Sequence, residues 1–181
     1  MKIANDLFYI RRIKAGDIRA FTGIVEKYRR AVLTIVMKII GNKEDAEDLT
    51  QEIFIKVFKS LEQFREESEF STWLYRIAYN TTLSELRKKK LFFSSIEDHL
   101  FIEKEEDVDT VDATEEEKLR YLEQALTKLA PEEMFLIGLY YLEKQSIDHI
   151  SAITQLSVSN VKVKLYRIRK KLALEINNSI Q

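Results

Sequence analysis

Residues 146–171 read SIDHISAITQLSVSNVKVKLYRIRKK, and their spacing sets the fold class. Ser146 is a helix-capping residue, and Ile147, Ile150 and Ile153 follow at helical intervals, so a short helix is expected from Ile147 to about Gln155. Leu156 and Ser157 interrupt it. A second helix is expected from Val158 to about Glu175, with Val158, Val161, Leu165, Ile168 and Leu172 as a narrow apolar stripe. The opposite arc carries Ser159, Asn160, Lys162, Val163, Tyr166, Arg167 and Lys170, and the run Lys162–Lys171 holds six basic residues and no acid. A short helix, a tight turn and a second helix with such a face make a helix-turn-helix, whose second helix enters the DNA major groove. Asn160 and Lys162 then face base edges, while residues further along reach phosphates, which strengthen binding without specifying sequence. The competing reading is a terminal helix that is merely basic and solvated.

Working upstream, Leu119, Leu122, Leu126 and Leu129 read as the stripe of a helix that starts near Thr114. Pro131 suits the first position of the next helix, with Glu132 and Glu133 in its first turn. Met134–Leu142 is apolar almost all round, which predicts a helix enclosed by its neighbours. Residues 114–181 thus form one helical domain. Before it the composition breaks: between Leu91 and Glu117 there are eleven acids and one lysine, leaving 28 basic and 19 acidic residues elsewhere. The formal net charge of −1 therefore describes a basic protein interrupted by an acidic strap, and residues 91–113 read as a linker. An ordered acidic patch against a basic domain is the alternative.

Residues 1–90 read as a second small helical domain. Leu7, Ile10 and Ile13 stripe a first helix that closes at Gly16-Asp17, and Asp17 is placed to cap the next one, which runs to a stop at Gly41-Asn42. A third, from Lys43 to Gln63, begins with acids that suit its dipole and has Ala46, Leu49, Ile53 and Val57 as its inner stripe. A loop over 64–70 leads to FSTWLYRIAYNTTLSELRKKK, Phe70–Lys90. There Leu74, Ile77, Ala78 and Thr81 share one face, and Trp73, Arg76, Asn80 and Arg87 another. Flat π surface, positive charge and an amide suit unstacked bases and a phosphate backbone. A core helix with an inward tryptophan and a solvated basic end is the alternative.

Four glycines and one proline in 181 residues argue against a turn-rich sheet and a glycine-rich phosphate cradle, so the expected class is all-α: two small helical domains and an acidic linker. The absence of cysteine removes disulfides and thiolate metal sites. Neither His99 nor His149 has a glutamate three places before it, which disfavours a helical carboxylate metalloenzyme, and no metal or cofactor is expected. No signal-like segment and no run of membrane-spanning length occurs, so a cytoplasmic protein without membrane insertion is expected.

The strings IKAGDIRAF, DAEDLTQEIFIKVF, FREESEFSTWLYRIAYN, LAPEEMFLIGLYYLEKQSIDHISAI and LSVSNVKVKLYRIRKKL, in this order and with an acidic spacer, resemble a bacterial RNA polymerase sigma factor of the extracytoplasmic-function (ECF) group. The resemblance covers nearly the whole chain. It implies a non-enzymatic promoter-specificity subunit. Asp45, Asp48, Gln51, Glu52 and Phe54 would dock on the polymerase core. Arg76, Asn80 and Arg87 would hold the melted minus-ten strand, with Trp73 either a further contact or a buried anchor of the loop. Ser159, Asn160, Lys162, Val163, Tyr166, Arg167 and Lys170 would read the minus-thirty-five element, and an anti-sigma factor is an implied partner. Two departures stand out: Gln155 lies where the family's turn usually has glycine, and Val163 where a small polar residue is common. A stand-alone helix-turn-helix regulator that binds duplex DNA without polymerase is the competing function.

Overall fold

The computed structural model describes residues 2–93 and 114–180. These form α-helices α1 (Lys2–Lys14), α2 (Phe21–Ile40), α3 (Lys43–Ser60), α4 (Phe70–Phe93), α5 (Glu115–Thr127), α6 (Pro131–Ile137), α7 (Ile147–Thr154) and α8 (Val158–Ile180). No strand occurs among the described residues.

In the first half α2 packs along α3, with α1 and α4 closing the other sides. Ile24, Val32 and Val36 of α2 share a core with Ala46, Leu49, Ile53 and Val57 of α3, and the four α3 residues are buried as their helical spacing predicts. Gly41 ends α2 at φ 76°, a conformation that costs a residue without Cβ little. Asn42 is more than a stop signal, since its side chain accepts the Asp45 N–H at 3.1 Å and opens α3. Asp17 does not cap: Arg12 takes its carboxylate with Nε at 3.0 Å and Nη2 at 2.5 Å, and a 3₁₀ turn, Ile18–Ala20, leads into α2 instead. The expected third helix likewise closes at Ser60 and tightens into a 3₁₀ turn over Leu61–Gln63.

α4 continues to Phe93, three residues into the expected linker, because no glycine or proline stops it. The remainder of that segment, with its acidic run and His99, lies outside the described residues.

In the second half Thr114 caps α5 reciprocally with Glu117, which accepts the Thr114 N–H at 3.0 Å. These bonds hold the Glu117 carboxyl below its ordinary range. Packing is tightest at the end of α5 and just beyond it: Ala125 and Leu129 are buried, whereas Leu119, the first residue of the predicted stripe, is 58% exposed and lies outside the core. Glu133 accepts the Ala130 N–H at 2.8 Å, with Pro131 at the first helical position as expected. Met134–Leu139 are enclosed, but the chain then widens into a π turn over Gly138–Leu142, and the changed angular step turns Tyr141 and Leu142 outward. α8 buries Val161, Leu165, Ile168 and Leu172, while Val158, at its first position, is exposed.

The halves pack against one another and share a continuous core, chiefly through α4 on α7 and α2 on α6. Tyr79 meets Phe135 edge to face at 5.1 Å, and Tyr75 Oη donates to Glu143 Oε2 at 2.6 Å. Gly138 lies so close to α2 that an added Cβ would come within 3.0 Å of Ile35 Cγ1.

Candidate nucleic-acid interface

The turn before α8 is held by its own polar groups. Gln155 ends α7 in the left-handed conformation, at φ 61° and ψ 19°. Ser151 Oγ donates to the Leu156 carbonyl at 2.5 Å, and Ser157 Oγ accepts the Asn160 N–H at 3.2 Å, capping α8. With the apolar stripe of α8 buried, Ser159, Asn160, Lys162, Val163, Tyr166, Arg167 and Lys170 are all exposed on the opposite arc. Tyr166 is 64% exposed, unusually open for a ring of that size, and suits a surface that meets another molecule. Two of the three remaining cations of the run turn back onto the protein: Lys171 Nζ reaches Glu133 at 3.0 Å, and Arg169 Nε donates to the Leu165 carbonyl at 3.2 Å.

On α4, Asn80 and Arg87 are exposed and Arg76 is half-buried, so these three are accessible along one side of the helix. Arg87 Nε donates to the Leu83 carbonyl at 3.3 Å, which lays its stem along the helix. Trp73 packs with Phe64 at 5.3 Å and Phe70 at 5.6 Å, so its ring braces the two ends of the 64–70 loop. Glu66 in that loop has φ 59°.

Behind the loop is a cavity of about 530 Å³ whose wall includes Asp6, Lys27, Tyr28, Glu69, Tyr75 and Glu143. Asp6 is buried, pairs with Lys27 and accepts from Tyr28 Oη at 2.7 Å. Burial, and then the bonds to Asp6 and Glu143, push the Tyr28 and Tyr75 hydroxyls above the ordinary tyrosine range, so both stay protonated donors. Spacing along the chain did not reveal this cluster, because its members come from five separate segments.

Asp45, Asp48 and Gln51 on the acidic side of α3 are exposed to solvent, and Glu52 pairs with Lys56 at 2.6 Å. Phe54, the remaining docking candidate, is only 6% exposed and belongs to the core. It contributes to the floor of a shallow groove of about 740 Å³ between α2 and α3, where Ile18, Phe21, Val25, Ile55 and Phe58 join Asp48 and Gln51. Ile18 and Ile55, 65% and 45% exposed, are open apolar side chains of this groove that the sequence reading did not single out. A third hollow, of about 390 Å³ and almost wholly apolar, lies between Ile35 of α2 and Leu122, Leu126, Tyr141 and Leu172 of the second half.

Among the described residues no group of three metal-ligating side chains converges, and no helix is long and apolar enough to cross a membrane. Two exposed basic helical faces, one beside an aromatic-braced loop and one after a capped turn, with a mixed acidic and apolar groove, define a DNA-facing helical protein equipped to dock on a larger partner. Comparison with known proteins gives the particular family. The family description "Sigma-70 region 2" matches residues 24–92, and "Sigma-70, region 4" matches residues 119–172. The ECF RNA polymerase sigma factor SigW of Bacillus subtilis (strain 168) is 32% identical, covering 93% of this chain and 95% of its own. The ECF RNA polymerase sigma-E factor of Escherichia coli (strain K12) is 31% identical, covering 98% and 95%. The fold is similar to that of CnrH in complex with the cytosolic domain of CnrY, with a TM-score of 0.69 and 21% identity over 94% of this chain and 96% of that one. It is also similar to the sigma factor RpoE in complex with the anti-sigma factor NepR from Bartonella quintana, with a TM-score of 0.67 and 22% identity over 86% and 96%. The chain belongs to the ECF RNA polymerase sigma factors.

Proposed function

We propose that this sigma factor divides its work between residues 1–90, which dock on the polymerase core and take the melted minus-ten strand, and residues 114–181, which read the duplex minus-thirty-five element, with 91–113 as the acidic linker. Bound to core polymerase, the chain directs promoter-specific initiation. It does no chemistry of its own and acts in the cytoplasm. The observation that carries this reading is the open arc of α8: its seven candidate residues are all exposed while its apolar stripe is sealed. A helix seated this way can enter a major groove without disturbing its own core.

Ser159, Asn160, Lys162 and Val163, near the start of α8, meet base edges, and Tyr166, Arg167 and Lys170 add contacts toward the backbone. Val163 supplies an apolar contact suited to a thymine methyl. Arg76, Asn80 and Arg87 hold a single strand beside the 64–70 loop, which exchanges lost stacking for contacts to flipped bases. Trp73 anchors that loop through Phe64 and Phe70. Asp45, Asp48 and Gln51 rim the polymerase-docking surface, with Ile18 and Ile55 as its exposed apolar contacts and Phe54 shaping it from beneath. An anti-sigma factor, the kind of partner seen with the structurally similar RpoE, fits a chain with such open grooves.

A pull-down with core polymerase, followed by footprinting with and without it, tests the assignment. Retention on the core and a footprint that needs the core are expected. A chain that ignores polymerase and footprints duplex DNA by itself is a stand-alone regulator.

A further inference from the structure

We propose that the apolar hollow between α2 and the second half binds a single-chain carboxylate amphiphile of medium length, its tail inside the hollow and its head held by Lys38 and Arg169.

The recess is deep enough to take a tail because its floor is core. Ile35 of α2, Met134 of α6 and Leu172 of α8 line it and are all buried, while Leu122 and Leu126 of α5 supply a half-buried side. Gly138 belongs to the same wall, and with an added Cβ only 3.0 Å from Ile35 Cγ1 there is no room for a side chain at that point. The π turn sets Tyr141 and Leu142 at the rim, 50% and 48% exposed, so the apolar surface runs from the floor out to solvent. At about 390 Å³ the hollow has the size of a small-molecule site, roughly 300–1,000 Å³. It is narrow for a helix, which is about 10–12 Å across with its side chains.

Charge at the mouth selects the head group. No acid lines the hollow, and its two charged residues, Lys38 and Arg169, are both cations and both exposed. Long cationic side chains beside an apolar wall lend it their methylenes and keep their charged ends in water. Arg169 commits its Nε to the Leu165 carbonyl at 3.2 Å, which leaves the terminal amino groups of the guanidinium to receive a carboxylate. A carboxylate therefore finds charge-assisted partners where the tail leaves the protein, an uncharged head gains none, and a cationic head is repelled. Arg169 is not among the seven α8 residues assigned to DNA, so amphiphile and promoter use different side chains of that helix.

Calorimetric titration of the full chain with decanoate, kept below its micelle concentration, tests the assignment. Saturable one-to-one binding is expected. Decanoate should bind about fifteenfold more tightly than octanoate, for two further buried methylenes. Decanol, with the same tail and no charge, should bind about tenfold more weakly than decanoate. Lys38→Gln/Arg169→Gln should abolish that preference, and Lys38→Glu/Arg169→Glu should favour decyltrimethylammonium instead. Leu122→Trp fills the hollow and should weaken decanoate at least tenfold, with circular dichroism at 222 nm reporting that the helices are intact. If Leu122→Trp fails to fold, the glutamine pair decides, because both of its positions are exposed. Absence of saturable binding, equal affinity of the wild-type chain for decanoate and decanol, or a preference that survives in the glutamine pair would overturn the proposal. So would a dimer in sedimentation velocity that Leu122→Trp converts to monomer and decanoate does not, since a second copy of the chain would then cover the hollow.

Discussion

Replacing Gln155 by glycine should stabilise the protein. Gln155 holds φ 61° and ψ 19° at the end of α7, where a left-handed backbone brings Cβ toward the following carbonyl. That conformation costs an L-residue roughly 1–2 kcal/mol. Glycine escapes the clash but has a more disordered unfolded chain, which offsets about 0.4–1 kcal/mol. Because the Gln155 side chain is exposed, its removal sacrifices no packing. The net gain is about 0.5–1 kcal/mol, and at this chain length it raises Tm by about 1–4 °C. Gly41→Ala supplies the opposite sign at φ 76°, where nothing lies within 4 Å of an added Cβ and only the backbone cost remains. Reversible thermal melts followed by circular dichroism at 222 nm compare the three chains. A Gln155→Gly chain that melts at or below the wild-type temperature, while Gly41→Ala melts lower, would refute the claim that the turn is strained.

Lys162→Ala or Arg167→Ala should weaken binding to the upstream promoter element by about 1–3 kcal/mol if a base contact is lost, without lowering Tm; holoenzyme gel shifts measure this, and unchanged affinity in both would remove α8 from recognition. Asn80→Ala should leave closed-duplex binding intact and impair strand opening, which permanganate reactivity of promoter thymines reports. Tyr28 and Tyr75 resist ionisation in the native state, whereas unfolded tyrosines ionise near pH 10. The native chain therefore keeps more protons above that pH, so the stability these groups contribute is complete below about pH 10 and is lost as pH rises beyond it. Denaturant melts between pH 8 and 11.5 should show the decline, and Tyr75→Phe should make it shallower.

Periodicity made the helices legible, because a buried stripe repeats wherever one face of a helix meets a core. Ala46, Leu49, Ile53 and Val57 on α3, and Val161, Leu165, Ile168 and Leu172 on α8, were readable for that reason. Contacts between distant segments were not. Tyr75 and Glu143 are 68 positions apart, and nothing about either residue announces the other. Asp17 has the chemistry of a cap, but the nearby Arg12 guanidinium competes for the same carboxylate and wins. Leu119 repeats correctly yet stands beyond the end of the core, since a period specifies a face and not what lies opposite it. Phe54, a docking candidate on motif grounds alone, is buried, and its neighbour Ile55 takes the exposed place. The π turn at Gly138–Leu142 escaped notice because an apolar run looks the same whether the helix stays regular or widens.

Start-site selection by the reconstituted enzyme tests the whole account most directly. Core polymerase mixed with this chain and a random promoter library should yield transcripts that begin at discrete positions downstream of two recurring sequence elements. Those transcripts should be absent from core alone and depleted with Lys162→Ala/Arg167→Ala. Transcript ends distributed as they are for core polymerase by itself would contradict it.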